Sequence, residues 1–80
     1  MACFLLHHCH KPTECGTAFA SFKGGASPLR HKPTIASCLY GGHEVWWLVD
    51  ADSAMQALEL LPPYVAHRTK PIPIRKVQIP

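Results

Sequence analysis

The chain has 80 residues and a mass of 8.8 kDa, enough for one small domain. Its net charge is +3 and only 16% of it is charged, with the basic residues scattered rather than in runs. That excludes a disordered tail and argues against a dedicated nucleic-acid surface. No apolar stretch is long enough to span a bilayer. The start, Met1-Ala2-Cys3-Phe4-Leu5-Leu6, lacks the basic segment of a signal peptide. The expectation is a cytoplasmic protein with reduced thiols, acting on neither membrane nor nucleic acid. Two features remain to be explained: a hydrophobic content of 48%, and 6 His with 4 Cys.

In chain order, Ala2 to His10 reads as a strand stopped by Lys11-Pro12. Thr13 to Phe22 carries Cys15, Ala18, Phe19 and Phe22 at the spacing of one helical face. Pro12 suits its first turn, Glu14 complements the helix dipole, and Gly24-Gly25 ends it. Ala26 to Pro33 is a loop with two prolines. Thr34 to Tyr40 and His43 to Asp50 are strands joined by Gly41-Gly42, a strong hairpin signal. Asp50-Ala51-Asp52-Ser53 offers caps for a helix over Ala54 to Leu61, which Pro62-Pro63 ends. A last strand over Ile72 to Ile79 has Pro71 and Pro73 near its start, which suits an edge.

The order strand, helix, strand, strand, helix, strand is that of the α+β ferredoxin-like split motif, βαββαβ, over residues 1–80. Its four-stranded antiparallel sheet has the spatial order 4-1-3-2. A tight Gly-Gly turn pairs Tyr40 with His43, Cys38 with Val45 and Ala36 with Trp47. Both faces of that sheet come out apolar, with Trp46 on one and Trp47 on the other. Two helices cover one face, so a second copy packed sheet to sheet is expected on the other.

This topology gathers His and Cys. All of them except Cys3 and His31 fall toward one end of the sheet. His8 and His10 share a face at about 7 Å along the strand, close enough to ligate one ion. Imidazole and thiolate suit Ni, Zn, Cu or Fe, with nickel or zinc favoured. The candidate ligands are His8, His10 and His43, with Cys38, Cys15 and Glu14 to complete the set. The same residues allow a metal-free reading, in which Cys15 or Cys38 is a nucleophile and a histidine its base. They also allow partly exposed strand-end histidines beside cysteines that fill the core. Trp46, Trp47 and Tyr64 are candidates for lining a pocket for a small apolar ligand. Arg30 and His31 offer either an anion contact or a solvated loop.

The whole chain resembles the dimeric α/β-barrel group of ferredoxin-like proteins in architecture, without a diagnostic motif. The resemblance implies two sheets facing each other in a homodimer, and a pocket between sheet and helices. That group includes small monooxygenases and muconolactone-isomerase-like enzymes. The His-rich strand, His7-His8-Cys9-His10, is similar to the small nickel-binding members. From these residues come two readings: a transition-metal-binding protein, or a barrel-type small-molecule enzyme.

Overall fold

A computed structural model describes residues 2–23 and 27–80. The Gly24-Gly25 helix stop and the first residue of the Ala26 to Pro33 loop lie outside them. Four strands and three helices are present among the described residues: β1 (Ala2–Cys9), α1 (Cys15–Ala20), β2 (Ile35–Ala36), β3 (Glu44–Ala51), α2 (Ala54–Glu59), α3 (Pro63–Ala66) and β4 (Thr69–Ile74). They form an α+β structure on one antiparallel sheet with strand order β2-β3-β1-β4. Counted from the β4 edge, the order is 4-1-3-2.

β1 lies between β3 and β4, and its period-two alternation divides the sheet. Phe4, Leu6 and His8 point to the helix side and are buried, as are Val45, Trp47, Val49 and Ala51 on β3. Ala57 of α2, Leu61 after it and Val65 of α3 close over them to make the core. The other face is open. Leu48 and Ile35 are 67% and 70% exposed there, beside Leu5 and, on β4, Ile72.

Several boundaries differ from the expectation, each for a local reason. The second strand keeps only Ile35 and Ala36, because Cys38–Tyr40 winds into a 3-10 turn. Ser37 O accepts hydrogen bonds from both Tyr40 N and Gly42 N, and Gly41 takes φ 82° to allow it. The hairpin loop is therefore longer than Gly-Gly, and Ala36 sits opposite Val45 rather than Trp47. The slip is two residues, so every side chain keeps its face. Cys38 leaves the strand altogether.

The first helix is six residues long and is preceded by a 3-10 turn at Pro12–Glu14. Pro62-Pro63 ends α2, yet Pro63 also opens α3, where a missing N–H is harmless. The last strand starts earlier and stops at Ile74. Cys3 opposite Ile74 is its final register pair. Pro71 and Pro73 have the same parity in β4, so one outward edge absorbs both missing N–H groups.

Candidate metal centre

Four side chains from three segments meet at the end of the sheet where β1 stops. His10 follows β1, Cys15 opens α1, and Cys38 and His43 stand at the two ends of the hairpin loop. One ligand-type atom from each lies within 4.8 Å of all the others. The spacing is a mirrored pair, His-x4-Cys and Cys-x4-His, with four residues inside each. This group can hold a metal ion.

The backbone is arranged to deliver these atoms. Ser37 and Glu44 clamp the loop: Ser37 N donates to Glu44 O at 2.8 Å, and Glu44 N donates to Ser37 Oγ at 3.1 Å. Gly42 packs so closely on Ser37 that a Cβ there would collide with its Cβ and Oγ. His43 adopts φ 52°, a left-handed conformation that costs a non-glycine residue roughly 1–3 kcal/mol. His10 N donates to His43 O at 3.2 Å, which ties the end of β1 to the loop.

A hydrogen-bond relay fixes the tautomer of His10. Thr69 Oγ1 donates to Val65 O at 2.6 Å, so this hydroxyl must accept from His8 Nδ1, 3.2 Å away. His8 Nε2 then carries a lone pair and accepts from His10 Nδ1–H at 2.9 Å. That leaves His10 Nε2 unprotonated, and it lies 3.6 Å from Cys38 Sγ. Burial lowers the pKa of His8, and the neighbouring His10 adds to this; burial lowers that of His10, and His43 adds to it. Both effects favour the neutral rings that the relay requires.

Two further observations concern the electrostatics. His43 Nδ1 is buried without a hydrogen-bond partner among the described residues, a cost of about 1–3 kcal/mol unless something satisfies it. Burial pushes the Cys38 thiol up, and the adjacent Cys15 pushes it further. A cation between the thiols would reverse that effect.

A second group, His7, Cys9 and Glu44, lies on the open face. Its geometry is that of a hydrogen-bonded pair. His7 Nε2 is 2.7 Å from Glu44 Oε1, whereas two ligands on one tetrahedral Zn²⁺ stand about 3.4 Å apart, given metal–N and metal–O distances near 2.1 Å. His7 also stacks on Trp46 with centroids 5.4 Å apart. The same reckoning for N and S gives about 3.6 Å, the distance found between His10 and Cys38.

Two of the expected ligands stand elsewhere. His8 lies behind His10 as its hydrogen-bond partner. Glu14 turns away: it accepts from Lys11 N at 2.8 Å, and from Tyr64 Oη and Arg68 Nε at 3.1 Å each. These contacts, the Lys11 amide first, lower its carboxyl pKa. Tyr64 is not among the residues lining the clefts that Trp46 and Trp47 border, and Arg68 lies 3.9 Å over its ring. Trp46 and Trp47 do border a common cleft, at the β2–β3 edge. Thr69, which sets the relay, was beyond sequence reasoning, because its contact with His8 spans 61 positions.

Comparison with protein-family models, curated proteins and solved structures found no match. None of the helices among the described residues is long and apolar enough to cross a membrane.

Proposed function

We propose that this protein is a small homodimeric transition-metal-binding protein, with His10, Cys15, Cys38 and His43 as the ligands. The observation that carries the reading is the convergence of two imidazoles and two thiols from separate segments, with His10 Nε2 left bare by the Thr69–His8 relay. A metal-ligating histidine typically donates its other N–H to a fixed acceptor, and His8 fills that role. Two thiolates and two imidazoles in a closed set suit tetrahedral Zn²⁺ first, with Ni²⁺ next. The four-ligand set leaves no open position, which favours binding or structural duty over catalysis. The ferredoxin-like arrangement, and a barrel formed by two copies, belong to the same reading. Strand order 4-1-3-2 and the apolar open face support it.

The test is elemental analysis of protein purified without an affinity tag, together with a thermal-shift series in Zn²⁺ and Ni²⁺. The expectation is one ion per chain. At about a hundred times Kd the ion stabilises the chain by about 2.7 kcal/mol, which raises the melting temperature. Protein with no bound transition metal and no shift with either ion would overturn the proposal.

A further inference from the structure

On the helix side of the sheet, beside the His/Cys centre, lies a cavity of about 520 Å³. That volume is in the range used for small organic ligands. Its wall is aromatic and aliphatic: Phe19, Phe22, Leu29 and Trp47. Trp47 is buried in the core and packs on Phe22 at 6.1 Å between centroids, Phe22 and Leu29 are half-buried against that core, and Phe19 is 43% exposed at the rim.

The mouth has the opposite character. Lys23, Arg30 and Lys32 border it together with His31, and among the described residues no carboxylate does. Among the described residues, the lysines and arginine at this mouth form no ion pair; the only lysine or arginine in one is Arg68, with Glu14. Residues 27–34, which carry Arg30, His31 and Lys32, are held at three points. Ser27 Oγ donates to Leu60 O and accepts from Leu29 N; Arg30 N donates to Ser27 O and Lys32 N to Leu29 O, closing successive turns; and Thr34 Oγ1 donates to Trp46 O at 2.9 Å. His31 turns the chain with φ 65° at the tip.

We propose that this cavity binds an aromatic organic anion, a carboxylate on a one- or two-ring body. The rings stack against Phe22 and Trp47, and the carboxylate meets Arg30 and Lys32 at the mouth. An apolar wall contributes affinity to any flat hydrocarbon. The uncompensated cations then select charge, because each carboxylate contact made there replaces only water. The proposal does not require metal at the His/Cys centre.

The experiment uses the Trp46→Phe chain, so that Trp47 alone reports by fluorescence. Three probes of one shape are titrated: 1-naphthoate, neutral 1-naphthalenemethanol and cationic 1-naphthylmethylammonium. The expected result is binding of naphthoate about tenfold tighter than the alcohol, the ratio for a pair of exposed ionic contacts, with the ammonium weakest. The Arg30→Gln/Lys32→Gln double variant changes only exposed side chains, and there naphthoate falls to the level of the alcohol. The ordering is unchanged after chelator treatment, which separates this claim from the metal reading. Equal binding of alcohol and carboxylate, naphthoate affinity unaltered in the double variant, or no binding of any probe would overturn it.

Discussion

At the scale of single residues, the most informative group is Thr69, which never touches the proposed metal. Its hydroxyl commits its proton to Val65 O and so dictates the tautomers of His8 and then His10. Thr69→Val keeps the shape and removes the acceptor. The expected outcome is a folded chain whose affinity for Zn²⁺ drops about 10- to 100-fold, the usual effect of losing a partner behind a ligand. Competition with a chromophoric chelator measures it; unchanged affinity would mean that the relay is idle. A pH dependence follows from the same two rings. Burial holds His8 and His10 below the ordinary value of 6.5. The unfolded chain therefore takes up protons that the folded chain refuses. Stability of the metal-free protein is complete above about pH 6.5 and falls as the pH drops below it. Urea midpoints in chelator at about pH 7.5 and about pH 5.5 check the sign; equal midpoints would contradict it.

At the scale of elements, the helices are short and depend on their ends. Ser53 accepts from Gln56 N at 3.2 Å and starts α2, whose Ala57 is fully buried in the core. Ser53→Ala should cost about 1 kcal/mol in denaturant unfolding, while metal affinity stays as it was. The hairpin loop behaves in the reverse way. Gly42→Ala forces a new Cβ into Ser37, displacing the loop that carries Cys38 and His43. It should weaken metal binding more than it weakens the fold. These elements also show where sequence reading succeeds. The two long strands were legible because a period-two pattern runs unbroken through Phe4, Leu6 and His8, and through Val45, Trp47 and Val49. The second strand was misjudged because Cys38-Leu39-Tyr40 has strand-like composition. Only the two amides converging on Ser37 O turn it into a 3-10 segment.

At the scale of the whole molecule, the helices cover one face of the sheet, and the open face carries an apolar centre of Leu5, Ile35, Leu48 and Ile72. Pro71 and Pro73 blunt the β4 edge, and β2 is too short to template a partner strand. In the proposed homodimer, association therefore runs through the open face. Sedimentation at micromolar concentration should give twice the 8.8 kDa chain mass, and Leu48→Lys, on a side chain 67% exposed, should return the chain to a monomer. A monomer without the substitution would contradict the homodimer. The gathering of His and Cys at one end followed from strand direction alone. The proposed ligand set did not, because Glu14 and His8 lie close enough in sequence to belong to it. Only the contacts of Glu14 with Tyr64 and Arg68, and of His8 with Thr69, remove them.

The central claim is that His10, Cys15, Cys38 and His43 hold one ion together. Titration of the metal-free chain with Co²⁺ tests it most directly, because a tetrahedral site with two thiolates gives intense visible d–d bands and strong sulfur-to-metal charge transfer. The account predicts saturation at one Co²⁺ per chain, displacement by Zn²⁺, and loss of about half the charge-transfer intensity in either Cys15→Ser or Cys38→Ser. Weak octahedral bands without charge transfer, or a spectrum unchanged by both substitutions, would contradict it.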